Sequence, residues 1–362
     1  MEARDIIWDE DPCIFIFKDE IPGKMKMHVK NLDLYDWVRI DATYPKQMAV
    51  KQELYRSNMD DIFISRVNNP TTDHCKKEFY ELLTDHVLER FPDIFEKQGD
   101  HILNRVTGEL IPIDPDDEEE EDVMLRAGRL TQDDWIIMEY EENQSGYVLT
   151  AGNLCFPSDW SLKEKFNKPM QMIHEPVKPY LRHLKDKVDS LFLRLKAENP
   201  LWRANWGIYS SLDDTFDLFS HPNKKLHTQG GSRIPFEGEE TGRKLFLRCE
   251  YHTLRKLPKT GCIVFGIRTY MRYLSDMKNQ PKEDIQSLID AIEDLDEEYS
   301  TYKGGDVWKV AALKYLKMIL NEKSGLYSFS RNNISSRTIL MSGVFAVGAF
   351  TAIKTFKKYF YT

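Results

Sequence analysis

Several common signatures of biochemistry are missing from this sequence. It has no GxGxxG and no GxxxxGK[ST]. Gly230–Gly231–Ser232 stands without either pattern around it, so no nucleotide-binding module is expected. There is no CxxC. The five cysteines, Cys13, Cys75, Cys155, Cys249 and Cys262, are odd in number and widely spaced, which argues against a disulfide framework or a zinc site and for a reducing compartment. Cys155, Cys249 and Cys262 lie in apolar runs and are expected as small buried hydrophobes. Positive charge is in deficit: the formal net charge is −9, which sets nucleic acid aside as a partner. A secretion signal is not expected, because Met1–Asp11 is acidic and lacks an apolar run behind a basic start.

The composition that is present suits a folded body. With 362 residues, 41% of them hydrophobic and 30% charged, the chain can bury a substantial core in one large domain or two. Trp135–Tyr140 and Tyr147–Phe156, parted by the polar turn Glu141–Gly146, read as an antiparallel pair of strands. Phe246–Leu257 and Cys262–Met271, joined by Pro258–Lys259–Thr260–Gly261, read as a second. Helices are expected from about Pro45, with Met48, Ala49 and Leu54 inward, and over Cys75–Arg90, where Phe79, Leu82, Leu83, His86 and Val87 recur at helical spacing. Leu181, Leu184, Val188, Leu191 and Leu195 make one further stripe. Asp284–Leu295 and Val307–Leu320 make two more, parted by Gly304–Gly305. Cys13–Phe17 is an edge strand or a strap over the core. Asp114–Asp122, with eight acidic residues in nine, reads as a solvated loop that lacks the interrupted spacing of a calcium site. The class expected is therefore α/β of the α+β kind, an antiparallel sheet with flanking helices.

The organising stretch is Thr150–Tyr180. Ser158 or Asp159 can cap a helix whose buried face is Leu162, Phe166, Met170 and Ile173. Pro176 stops that helix, because it cannot donate to the ladder and disfavours helical backbone at Glu175. His174 is thereby fixed at a helix end. On spacing alone it serves as a cap or a dipole partner as readily as a metal ligand.

CFPSDW and EKFNKPMQMIHEPV in this stretch resemble the central signature of the haem-dependent oxidative N-demethylase family, the HRQ-type proteins typified by the haem-binding subunit of a dimethylamine-oxidising enzyme. NLDLYDWVRIDATYPKQMAVKQEL, LTQDDWIIM and LRCEYHTLRKLPKTGCIVFGIRTY follow the same family order, so the resemblance covers about Leu32 to Leu274. It implies a PAS-like sheet holding haem b. The iron would be ligated by His174, with Glu175 taking the other ring proton, and Trp202 and Trp206 would wall the porphyrin. Arg248, Arg255 and Arg268 are the expected propionate partners. Glu250 either receives a cationic amine or pairs with Arg248. His252 stands where relatives read ERQTL and this chain reads EYHTL, and it is expected as a second axial ligand or a proton donor. The implied activity is monooxygenation: oxidative N-demethylation of a small amine with oxygen, using electrons from a separate flavin and iron–sulfur reductase. A haem sensor or carrier, or a scaffold with an empty pocket, are the alternatives.

The expected domain organisation is a globular body over 1–325, with core 32–274 and a helical extension 282–320, then a linker over 326–337. Thr338–Ile353 is uncharged over sixteen residues and flanked by Arg337 and Lys354. As a helix it would rise ~24 Å, so snorkelling by the flanking bases would be needed to match a bilayer core of ~30 Å. With the basic tail 354–362 it reads as a transmembrane tail anchor, the body facing the cytosol, on the mitochondrial outer membrane or the peroxisome in preference to the endoplasmic reticulum.

Overall fold

The computed structural model describes residues 6, 8–9, 27–117, 121–158, 160–210 and 235–337. Among them ten strands form two sheets: β1 (Lys30–Asn31), β2 (Phe63–Ser65), β3 (Phe95–Gln98), β4 (His101–Asn104), β5 (Leu110–Pro112), β6 (Asp134–Glu141), β7 (Gly146–Asn153), β8 (Leu201–Ser210), β9 (Leu245–Lys256) and β10 (Ile263–Tyr273). The larger sheet runs β1-β8-β9-β10-β6-β7-β2, and every neighbouring pair is antiparallel. The smaller one is β3-β4-β5. Both strand pairs expected from the sequence are present, as β6–β7, with a register shift at Ile137/Met138, and as β9–β10.

In β9 ten successive residues, Leu245 to Leu254, are buried, and in β6 Asp134 to Glu139 are. A strand exposed on one side would alternate, so both faces of this sheet are covered. The front face carries Ile136, Met138, Leu149, Leu254 and Ile267. It packs under Leu162, Val177, Tyr180, Leu184, Val188 and Phe192 from the crossover between β7 and β8. The back face meets helix Pro70–Arg90, where the rings of Trp37, Phe79 and Trp135 pack with centroids 5.0 to 6.3 Å apart. Gly266 permits this packing, since a Cβ there would lie 2.6 Å from Trp135 Cζ3 and 2.5 Å from Thr253 Oγ1.

The crossover differs from the single helix expected over 162–173. It forms two turns, Leu162–Lys165 and Met170–Ile173, the first capped by Ser161 in a capping box with Glu164. Pro169 cannot donate to a helical ladder, and Asn167 adopts φ +57°. The backbone of Asn167 and Lys168 bonds instead to Leu149, fastening the break to β7. The next stripe is likewise two helices, Lys178–His183 and Lys185–Arg194. In helix Tyr44–Ser57 the buried residues include Gln47 and Lys51 as well as Met48 and Leu54, while Ala49 is exposed.

One further expectation is corrected. Cys75 and Cys262 are joined as a disulfide with Cα atoms 6.1 Å apart, across 187 residues of sequence. That pairing leaves no trace in local spacing, because it depends on helix Pro70–Arg90 crossing the start of β10. The acidic run is tied down at its described ends: Lys76 bonds Asp122 at 2.7 Å, Arg129 pairs with Glu121, Lys77 pairs with Asp116, and the Arg126 guanidinium donates to three carbonyls, those of Asp114, Asp117 and Glu121.

Helix Gly305–Arg337 continues through 326–337, the stretch read as a linker. By backbone contacts the chain divides at Leu316, leaving Lys317–Thr362 as a separate unit. Among the described residues no helix is long and apolar enough to cross a membrane. Cys13–Phe17, Gly230–Ser232, Asp159, the apolar stretch 338–353 and the tail 354–362 lie outside the described residues.

Candidate functional site

The register of β8 on β9 sets Arg203 opposite His252 and Asn205 opposite Glu250, and that of β9 on β10 sets Thr269 opposite Glu250. Side chains directly opposite in an antiparallel pair share a face. Arg248, Glu250 and His252 alternate with Cys249, Tyr251 and Thr253, so their side chains lie on the front face with Leu254.

There Glu250 is the hub. Its Oε1 accepts from Arg248 Nε at 3.0 Å, and its Oε2 accepts from Asn205 Nδ2 and His252 Nε2, each at 3.1 Å. Arg248 is 1% exposed. Its Nη2 donates to the Phe156 carbonyl at 2.6 Å and to Thr269 Oγ1 at 3.1 Å, and its Nη1 has no partner among the described residues. Burial opposes ionisation of Glu250, but the Arg248 guanidinium and the bonds from His252 and Asn205 outweigh it and hold the carboxyl well below the usual carboxylate range. His252 is lowered from the ordinary histidine value: burial and the charges of Arg203 and Arg248 prevail over the attraction of Glu250.

The cluster is anchored at its far end. Phe156 N and Cys155 N donate to the two carboxylate oxygens of Asp134, both at 2.8 Å. Lys51, fully buried, reaches Asp134 Oδ1 at 3.7 Å and donates to the carbonyls of Thr131 and Asp133 at 3.0 and 2.6 Å. A continuous buried path thus runs Lys51–Asp134–Phe156–Arg248–Glu250–His252. It joins residues from four separated sequence motifs, NLDLYDWVRIDATYPKQMAVKQEL, LTQDDWIIM, CFPSDW and LRCEYHTL.

His174 approaches from the crossover above the front face. It is the C-cap of Met170–Ile173, its ring stacks on Tyr180 with centroids 4.2 Å apart and planes at 20°, and its Nδ1 lies 2.9 Å from the Met170 carbonyl. A carbonyl only accepts, so the ring proton sits on Nδ1 and Nε2 carries the free lone pair. No hydrogen bond to Nε2 forms among the described residues. Burial, then the charges of Arg203, Lys165 and His252, pushes its pKa down to about 4 against the support of the Met170 bond, so the ring is neutral at pH 7. As a residue, His174 is of intermediate exposure.

The other expected site residues lie elsewhere. The ring proton assigned to Glu175 goes to the Met170 carbonyl, and Glu175 is exposed. Trp202 and Trp206 pair with Thr253 and Cys249, which turns them to the back face. There Trp202 lies 5.1 Å from the Tyr251 ring, and Lys303 Nζ lies 4.8 Å over Trp206. Arg255 lies on the back face over the Trp37 ring at 4.1 Å. Arg268, fully buried, pairs with Asp41 at 2.5 Å. The cause is the two-residue period of a strand: neighbours in LRCEYHTLRK cannot all face one ligand. Arg203, Asn205 and Asp134 were missed by sequence reasoning. Asp134 sits in LTQDDWIIM and Arg203 and Asn205 in WRANWGI, but only the register reveals their partners.

A cluster of three or more His, Cys, Asp or Glu side chains able to hold a metal is absent among the described residues. A family model described as haem-dependent oxidative N-demethylase, alpha subunit-like, matches residues 28–313. That span contains His174 and the whole buried path.

Proposed function

Because the chain belongs to the family of haem-dependent oxidative N-demethylase alpha-subunit-like proteins, we propose that it is a haem-binding monooxygenase subunit that oxidises an N-methyl group of a small amine, with electrons from a separate reductase. The observation that carries this reading is His174: a partly exposed residue with a neutral imidazole, its Nδ1 proton fixed on a backbone carbonyl and its Nε2 without a hydrogen bond among the described residues. That tautomer and that second hydrogen bond are what a haem-ligating histidine needs. The sheet supports a PAS-like pocket: counted from β6, the five central strands stand in the order 2-1-5-4-3, with the His174 crossover between the second and third.

Haem, when bound, supplies the redox-active iron at which oxygen is reduced and a C–H bond oxidised. His174 Nε2 would hold it. The charges of Arg203 and Lys165, which add to burial in keeping His174 neutral, would also suit the two propionates. Glu250 accepts from three donors, which favours the pair with Arg248 over a cationic amine. Its part is to orient His252. Because the sequence carries no dinucleotide fingerprint and no cysteine cluster, a partner supplies the electrons. The uncharged stretch 338–353 would set the body on a membrane beside that partner, and fractionation of the full chain against one ending at residue 337 tests that placement.

The full chain mixed with haemin should develop a Soret band that shifts on reduction and again with carbon monoxide, the mark of an open axial position. A chain that leaves haemin free in solution contradicts the reading.

A further inference from the structure

Two devices hold the β9–β10 turn to helix Pro70–Arg90, and they start from one face of that helix. The first is the Cys75–Cys262 disulfide. The second is Glu78, three residues on from Cys75 and so its neighbour on the helix surface. Glu78 Oε1 accepts from Lys259 N at 2.7 Å, and Oε2 accepts from Thr260 N at 2.8 Å and from Thr260 Oγ1 at 2.6 Å. Three donors from two consecutive turn residues thus end on one carboxylate that is 4% exposed. Bonds to an ionised acceptor are the strong kind. By contrast, the 3.0 Å pair of Lys259 Nζ with Glu81 joins two exposed side chains and contributes little.

The same turn separates the disulfide from water. Pro258, Lys259 and Thr260 are exposed, whereas Cys262, two residues beyond Thr260, is 4% exposed and Cys75 is 0%. Gly261, at φ +74°, makes the bend, and Leu257 N closes it on the Cys262 carbonyl at 2.8 Å. Thiol–disulfide exchange needs a thiolate brought up to one sulfur, and buried sulfurs give it no approach. The turn must therefore lift first, a local opening that the three bonds to Glu78 resist.

We infer that Cys75 and Cys262 form a reversible redox clasp and that Glu78 gates it, the disulfide exchanging with a small thiol only when the turn Pro258–Gly261 leaves that carboxylate. In the opening direction one thiolate of a dithiol attacks the sulfur of Cys262, the less buried of the two, and Cys75 leaves as a thiol. The second thiolate of the dithiol then displaces Cys262. The protein bond gains two electrons and two protons, and the dithiol departs as its cyclic disulfide. A low-molecular-weight disulfide such as oxidised glutathione drives the reverse. The closed clasp spans 187 residues of sequence, enclosing Asp134, His174, Arg248, Glu250 and His252, so opening it loosens the part of the chain that carries the site. Glu78 and the packing of Arg255 over Trp37 remain when the bond is reduced, which keeps the hairpin seated and lets the clasp close again.

The test follows reduction of the folded full chain by dithiothreitol, with alkylation and peptide mass spectrometry reporting Cys75 and Cys262. Glu78→Gln should be reduced roughly tenfold to a hundredfold faster than wild type, the loss of one charge-assisted bond or two. Lys259→Ala, which removes only the exposed pair with Glu81, should stay within about threefold of wild type. Reduced wild type should remain folded, melt roughly 5–10 °C lower, and regain its melting temperature in oxidised glutathione. Thr260→Val removes a single bond to Glu78 and should hasten reduction roughly threefold to tenfold, which keeps the gate testable should Glu78→Gln not fold. Wild-type rates in Glu78→Gln or in Thr260→Val, or a Lys259→Ala as fast as Glu78→Gln, overturn the gate. A reduced chain that unfolds, or two thiols that oxidised glutathione does not rejoin, overturns the clasp.

Discussion

Replacing Glu250 by Gln keeps the outline of the side chain and removes its charge. In the wild type three donors meet the carboxylate: Arg248 Nε at Oε1, and Asn205 Nδ2 and His252 Nε2 at Oε2. The variant has an NH2 in place of one oxygen. At least one donor then confronts another donor, and Arg248, 1% exposed, loses its counter-charge. Hydrogen bonds to charged groups contribute about 1.5–3 kcal/mol each, and breaking a buried pair from one side costs about 3–5 kcal/mol. Arg248 retains the Phe156 carbonyl and Thr269, and His252 can move its proton to Nδ1, so the expected loss is about 2–4 kcal/mol. Urea denaturation of the haem-free chain at pH 7 reads it. The folded-state pKa of Glu250 is depressed, so its contribution is fully present above the unfolded value of about 4.3 and is lost as pH falls below it, when the unfolded chain takes up a proton that the folded chain refuses. The gap between wild type and variant should therefore be level from pH 7 to 5 and narrow below that. A gap under about 1 kcal/mol at pH 7, or one that stays level into acid, would refute the placement of Glu250 as the hub.

Lys51→Met should cost about 3–5 kcal/mol in the same assay, because it leaves Asp134 as an uncompensated buried charge and strips two carbonyls of their donor; a loss below about 1 kcal/mol would show that Asp134 needs no counter-ion. Gly266→Ala forces a methyl against Trp135 and Thr253 and should lower stability by about 1–3 kcal/mol, seen as a lower melting temperature, whereas an unchanged melt contradicts the close approach. His86 and His174 are both pushed down to about 4, mainly by burial. Unfolding exposes them at an ordinary value of about 6.5, so the haem-free chain should lose stability as pH falls from about 6.5 to 4, and His86→Leu should flatten that slope. An unaltered slope in the variant would mean that His86 is protonated in the fold.

The parts of the molecule legible in the sequence are those governed by local pattern. The β6–β7 and β9–β10 pairs follow from alternation and turn residues, and the part of helix Pro70–Arg90 from Cys75 onward follows from its stripe, while its first turn, capped by Asn69, appears only in the structure. His174 was legible as a side chain with a fixed direction, though the device that fixes its proton, the Met170 carbonyl one turn back, belongs to a helix broken where the sequence suggested a continuous one. What stayed hidden depends on register and long-range pairing. Strand alternation turned Arg255, Arg268 and both tryptophans to the far face, and the disulfide joins residues with no sequence relation. Of the two roles left open for Glu250, the pair with Arg248 is seen as a bond of 3.0 Å.

The visible spectrum of His174→Ala beside wild type and His183→Ala, each loaded with haemin and then reduced under carbon monoxide, bears most directly on the haem reading. His183 is exposed on the neighbouring helix and serves as the control. The expected outcome is that His174→Ala alone loses most of its haem. Full haem content with an unshifted Soret band in that variant would contradict ligation by His174 and, with it, the oxidase assignment.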